Sequence, residues 1–262
     1  MNILRAALLK LGRRPATRIT FLILAGLVLV IYISLAASME MMEQEGEMGA
    51  LAEIFAFPGA YGQLGSMLMT FAMLAAAAYA GTIAGSEWSW GAFRVAVARG
   101  ESRVRYVLVT FAAVALVALI GFVVLFAFGS VVSYVIGSLT GLASGDPLAD
   151  GALVAVPAIA IGGWWVVVMG AAIAFAVGFA TRSAVMAMVA VVAIYFGEQM
   201  AAIIVPADVL RYLPIGAGTE LVRAASSTAT LGDVGLPLAA VTAYLVAALA
   251  AAALVAARTE AA

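Results

Sequence analysis

Long runs of uncharged, mostly apolar residues dominate the chain. Runs of 21 to 40 residues separate the charged positions, and Glu198 is the one charge that interrupts such a run. A helix that crosses a bilayer needs roughly 20 apolar residues, whereas strands of a membrane barrel are about 10 residues long and alternate in polarity. The pattern predicts an all-α membrane protein with a single transmembrane domain over 1–262. Its six transmembrane helices are predicted at about 19–38, 64–85, 106–136, 153–179, 184–204 and 237–257.

A short amphipathic segment precedes the first predicted span. Within residues 1–18, apolar side chains share one face of a helix over 2–14, and Arg5, Lys10 and Arg13 lie on the other face. Such a helix is suited to lie in the membrane interface. A basic flank that only orients the first span explains the same residues, and both interpretations are compatible. A cleaved signal peptide is disfavoured, because the apolar core here is about 18 residues against the roughly 7–15 of a signal peptide.

The composition excludes most catalytic chemistry. Of 262 residues, 66% are hydrophobic and 10% are charged, against about 45–50% and about 25% in a soluble domain. The absence of Cys and His removes thiol nucleophiles, thiolate metal sites and imidazole bases. The one lysine, Lys10, is followed by Leu11, so no GxxxxGK[ST] phosphate-binding loop exists. We therefore expect no catalytic residue, metal site or cofactor on this chain, and ATP would have to bind another chain.

The distribution of basic residues predicts the orientation. Eleven of the 13 Lys and Arg residues flank the first span, the connector between the second and third, the connector between the fourth and fifth, or the C-terminal end. Only Arg211 and Arg223 fall on the other side, which also holds five glutamates between residues 40 and 53. Since basic residues are enriched in cytoplasmic loops, both termini are expected to be cytoplasmic.

The connector at residues 86–105 contains two Trp, two Glu and four Arg. Ser86 followed by Glu87 predicts the start of a short helix, with an acidic residue in its first turn. Aromatic side chains on that helix would dock into a groove of a partner. Alternatively, the tryptophans anchor the chain at the membrane interface and the arginines only fix the topology. The aromatic residues in question are Trp88, Trp90 and Phe93.

The spacing in this connector resembles the first intracellular loop of the ABC-2 type permeases, which are the membrane subunits of a class of bacterial ABC exporters. The pattern is Glu-aromatic-x-x-Gly-x-x-Arg, followed by Gly-x-Ser-Arg. An amphipathic start, six spans and a partly helical outer segment before the last span fit the same family. The matching residues are Glu87, Trp88, Gly91, Arg94, Gly100, Ser102 and Arg103.

The resemblance implies an ABC-2 (type V exporter-like) transmembrane fold in a bacterial or archaeal plasma membrane. It implies a coupling helix that rests on a separate ABC ATPase, with two ATPase subunits binding ATP and Mg²⁺. It also implies a second permease subunit, most simply a homodimer, with lipid around it and no nucleic acid as partner. The residues expected to couple to the ATPase are Glu87, Trp88, Trp90, Gly91, Phe93, Arg94, Arg99, Gly100, Ser102 and Arg103.

Glu198, with Gln199 beside it, lies inside the fifth predicted span. An ionisable side chain in lipid normally faces a bundle interior or an aqueous cavity. Both residues are therefore candidates for the translocation path. Two other interpretations stay open: a buried polar tie to a neighbouring helix, or a short span with Glu198 near water.

Residues 206–236 are predicted to form an outer re-entrant segment, as the resemblance implies, with short helices near 208–212 and 219–226. Arg211 and Arg223 either pair with nearby acids, Asp208 and Glu220, or contact anionic headgroups.

Two other functions remain compatible with the sequence: a membrane scaffold that transports nothing, and a secondary transporter that uses Glu198. Intramembrane acids and broken helices are typical of secondary transporters.

Overall fold

The computed structural model describes residues 3–39, 41, 48–149, 151–226 and 234–259. Within these ranges the backbone is helical and forms no strand; Ala56 and Ser144 make an isolated bridge. The helices are α1 (Ile3–Gly12), α2 (Pro15–Ala37), α3 (Met48–Phe55), α4 (Gly59–Ser89), α5 (Ala92–Ala98), α6 (Arg103–Thr140), α7 (Ala152–Thr181), α8 (Ala184–Ala201), α9 (Ala207–Leu210), α10 (Pro214–Ser226) and α11 (Gly235–Arg258).

Six of the described helices, α2, α4, α6, α7, α8 and α11, are long and apolar enough to cross a membrane. The predicted number and order of spans are confirmed. Several predicted ends differ from the structure: α4 runs from Gly59 to Ser89, and α6 continues through Gly137 to Thr140. Gly137 lies within α6, where the absence of a side chain lets the helix approach the ring of Phe55. Gly141, whose φ is +75°, ends the helix instead.

Helix α7 is the centre of the bundle and the most buried of the six long helices. It packs along α4, from Ile159 beside Gly65 to Phe179 beside Trp88, and also contacts α6, α8, α10 and α11. Small residues allow this approach: a Cβ on Gly178 would lie 3.2 Å from the Cβ of Ala84 and 3.1 Å from that of Ala187. These small residues therefore serve packing within the chain.

One end of the bundle gathers α1, the α4–α6 connector, the α7–α8 junction and the C-terminal end of α11. Lys10 of α1 contacts Glu87 of α4, and Arg103 donates a hydrogen bond to the carbonyl oxygen of Thr259 at 2.5 Å. The N-terminal helix α1 and the C-terminal end of α11 lie at the same end, as an even number of spans requires. This arrangement brings the basic segments of the sequence together at one end.

The opposite end is built from α3, the α6–α7 connector and the short helices α9 and α10. The amide of Phe57 donates to the carbonyl of Ser144 at 2.8 Å, and the hydroxyl of Tyr61 donates to that of Pro147 at 3.1 Å. The hydroxyl of Tyr244 donates to the carbonyl of Tyr212 at 2.9 Å and joins α11 to the outer segment.

Candidate functional site

The sequence predicts that Glu87 begins a short helix. In the structure it lies instead in the last turn of α4. The helix continues to Ser89, and the short helix α5 starts only after Gly91. Ser86 and Glu87 are both buried, and 2% of the surface of Glu87 is exposed. The predicted helix start at Ser86 and Glu87 was wrong, because a Ser followed by an acidic residue also occurs inside a helix when other helices supply partners for the carboxylate.

The partners of Glu87 come from two other helices. Its Oε1 accepts a hydrogen bond from the Nζ of Lys10 at 2.6 Å, and its Oε2 accepts one from the hydroxyl of Tyr106 at 2.5 Å. Burying a carboxylate is costly unless it is paired and hydrogen-bonded, and here both conditions are met. The cluster ties α1 and α6 to the end of α4.

Trp88 packs between the connector and α7. Its Nε1 donates to the carbonyl oxygen of Phe179 at 3.1 Å, and its ring centroid lies 5.1 Å from that of Phe179 and 5.0 Å from that of Phe93. The guanidinium carbon of Arg182, in the junction after α7, lies 4.5 Å from the Trp88 ring centroid. Phe93 is 1% exposed. Two of the three aromatic residues predicted to face a partner therefore pack inside the chain.

Trp90 is the one of the three that faces outward, with 67% of its surface exposed. The guanidinium carbon of Arg14 lies 4.8 Å from its ring centroid and the Nζ of Lys10 lies 5.9 Å away. Arg14 also donates a hydrogen bond to the hydroxyl of Ser86 at 3.2 Å. Helix α1 and the turn after it therefore hold the base of the connector, and each places one cation against the exposed indole.

Two glycines set the path of the connector. Gly91 has a φ of +66° and Gly100 a φ of +86°, a region that residues with a Cβ rarely adopt. They bracket the seven-residue helix α5, and Ser102 then holds the N-cap position of α6. Five of the exposed residues of this connector lie on or next to α5, and we call them the loop surface: Trp90, Arg94, Val95, Ala98 and Arg99.

Glu198 lies in the last turn of α8, which ends at Ala201 and is shorter than predicted. Its carboxylate accepts hydrogen bonds from the backbone amides of Ile215 at 3.0 and 3.1 Å and of Gly216 at 3.1 Å. These amides belong to the first turn of α10, where backbone donors have no partner within the helix. Glu198 thus caps α10 from another helix, which is the interpretation as a polar tie.

Gln199 is exposed beside Glu198, and both line a hollow of about 320 Å³ between α8 and the outer segment. Of the two interpretations left open for Arg211 and Arg223, the structure shows the pairing: Arg211 lies 4.0 Å from Asp208, and the Nε of Arg223 donates to Glu220 at 3.0 Å. The two predicted short helices are present as α9 and α10, and residues 227–233 of the predicted segment lie outside the described residues.

Among the residues that the structure describes, no three acidic side chains come together as a metal site would require. Comparison with known proteins gives no match to a protein-family model, a curated protein or a solved structure. The function is therefore inferred from the residues and geometry of this chain.

Proposed function

We propose that the chain is the permease subunit of an ABC-2 type exporter, working as a dimer and driven by a separate ATPase. The proposal combines three facts. Six helices are long and apolar enough to span a membrane, the sequence holds no phosphate-binding loop, and the connector between the second and third spans exposes the loop surface. In this proposal α1 and the loop surface lie in the cytoplasm, as the basic residues favour.

The observation that carries the proposal is the bracing of the connector. Phe93 packs against Trp88 and Phe179, so α5 rests on the end of the central helix α7. Glu87 joins the same connector to α1 and α6. A push on the loop surface would therefore be transmitted to four helices and would not be absorbed by a flexible loop. A connector that serves only solubility requires none of these contacts.

The loop surface also defines the chemistry of its partner. It presents the indole of Trp90 and the side chain of Val95 together with Arg94 and Arg99. Tryptophan and arginine are the residues most enriched among those that dominate interface energies. The proposed ATPase contact is therefore a small apolar groove with acidic residues at its rim.

The two alternative functions receive less support. The carboxylate of Glu198 already accepts three contacts from backbone amides, so a role as an ion site would have to release α10. A scaffold does not require the bracing that ties the loop surface to the spans. Glu198 and Gln199 stay candidates for the translocation path through the hollow that they line.

The test is to purify the chain from its native membrane with any ABC ATPase bound to it, and to reconstitute the two together in lipid nanodiscs. We expect Trp90→Ala to weaken ATPase binding by about tenfold or more, the effect of losing a hot-spot residue worth about 2 kcal/mol. Phe196→Ala is the matched control, because Phe196 is an exposed aromatic residue on α8, away from the connector. Equal ATPase binding by both variants would refute the docking site. Binding without any effect of the permease on ATP hydrolysis would favour the scaffold.

A further inference from the structure

A narrow apolar slot lies between α2 and the helices that face it, chiefly α4 and α6. Helix α2 is buried only along a seam of Thr17, Leu24, Val28 and Tyr32. Between the first two of these residues, small side chains on the facing helices leave a partly open volume of about 50 Å³. The small wall residues are Ala72, Ala75 and Ala76 of α4 and Ala118 and Gly121 of α6.

The slot has room for a guest but does not suit water. A buried water needs about 10–15 Å³ of such volume and two to four polar partners. The hydroxyls of Thr17 and Tyr79 are bonded to each other at 2.8 Å, and Thr17 also donates to the carbonyl of Leu11. Among the lining residues only Thr20 supplies a further hydroxyl. An apolar guest fits this lining.

The slot lies at the depth of one lipid leaflet. It follows α2 from Thr17 to Leu24, which is about 10 Å of helix, and one leaflet provides roughly 15 Å of hydrocarbon. Thr17 lies in the first turn of α2, so the slot begins at the end of the bundle where α1 lies. A hydrocarbon chain that enters from the surrounding leaflet is therefore aligned with the slot.

Positive charge stands at the end of the slot where a headgroup would lie. Arg13 lies in the turn between α1 and α2, and Arg18 follows Thr17 in the first turn of α2; both are exposed, and Arg14 lies between them against Ser86. Basic residues at this level attract anionic lipid by about 1 kcal/mol each. The charge complements a phosphate, whereas the walls of the slot complement an acyl chain.

We propose that this slot binds one anionic phospholipid of the surrounding leaflet, with an acyl chain between α2, α4 and α6 and the headgroup at Arg13 and Arg18. The site lies within one subunit and does not depend on the proposed ATPase. It gives the chain a lipid ligand that joins α2, with its narrow seam, to the bundle.

The test uses the full-length chain in nanodiscs that contain phosphatidylglycerol with a photoactivatable diazirine on its acyl chain. We expect the cross-linked peptides to come from residues 17–24, 72–79 and 114–125. Labelling spread evenly over the outward faces of all six long helices would overturn the proposal.

Variants that fill the slot provide a second measurement, read by native mass spectrometry as lipid retained per chain. Ala118→Phe and Ala75→Phe place a ring in the slot. Ala112→Phe, at an exposed position of the same helix α6, is the matched control. We expect each filled variant to retain lipid about tenfold more weakly than the control, because about two methylene groups lose their apolar contact. Equal retention by all three variants would overturn the proposed slot.

The headgroup is tested with Arg18→Gln and with phosphatidylcholine of the same acyl chains. We expect the wild-type chain to retain phosphatidylglycerol over phosphatidylcholine, and we expect Arg18→Gln to reduce that preference several-fold. Equal retention of both lipids by the wild-type chain would overturn the anionic assignment.

Discussion

The ion pair between Glu87 and Lys10 offers the sharpest stability test, because its two partners differ in burial. The side chain of Glu87 is 2% exposed and that of Lys10 is 36% exposed. We consider three variants: Lys10→Met, Glu87→Gln and the double substitution. Arg5→Met, at an exposed position of the same helix, is the control.

Removing the lysine should cost more than removing the carboxylate. Lys10→Met leaves a buried carboxylate that only the hydroxyl of Tyr106 still contacts, and breaking a buried pair in this way costs about 3–5 kcal/mol. Glu87→Gln leaves an ammonium group that water can reach and loses charge-assisted hydrogen bonds worth about 1.5–3 kcal/mol. In the double variant neither charge is stranded, so its cost should fall below the sum of the single costs by about 1–3 kcal/mol.

The assay is the free energy of unfolding in detergent, supported by thermal midpoints. Each kcal/mol corresponds to roughly 2–4 °C for a chain of this size. The expected order of stability is wild type and Arg5→Met together, then Glu87→Gln, then Lys10→Met. A larger cost for Glu87→Gln than for Lys10→Met, or single costs that add in the double variant, would refute this explanation of the buried pair.

Three further substitutions test other parts of the structure. Glu198→Ala should speed amide hydrogen exchange in the first turn of α10 and cost about 1–3 kcal/mol, whereas Gln199→Ala should change neither; equal exchange in both variants would contradict the capping role. Trp88→Phe keeps the ring packing but strands a carbonyl oxygen of α7, so it should lower the free energy of unfolding by about 1 kcal/mol, and an unchanged value would remove that bond from the account. Gly145→Ala should destabilise the chain by more than about 1 kcal/mol, since its φ is +77° and the new Cβ would lie 2.1 Å from the carbonyl oxygen of Phe57; wild-type unfolding would show that this backbone relaxes freely.

The spans were predictable from sequence because a helix that crosses the hydrocarbon core needs roughly 20 mostly apolar residues in a row. Their ends were less predictable, because Gly and Pro in a sequence usually signal a loop. Pro58 instead holds the N-cap position of α4, and Gly137 makes room for an aromatic ring from another helix. Whether a glycine ends a helix or permits close packing depends on residues far away in the chain.

The connector was also predictable in its composition but not in its environment. The motif identified Glu87 and Trp88, yet their partners Lys10 and Phe179 are 77 and 91 residues distant. No local pattern indicates such pairs. The one signal available for Lys10 was that it is the single lysine of the chain. The exposure of Trp90 likewise follows from the packing of its two aromatic neighbours.

The composition of the complex in native membranes tests the central claim most directly. The chain would be purified in mild detergent without added partners, and the intact assembly would be weighed by native mass spectrometry. The proposal predicts two copies of this chain with two copies of a nucleotide-binding ATPase, and loss of the ATPase from the Trp90→Ala assembly. A stable assembly that contains this chain and no ATPase would contradict the proposal.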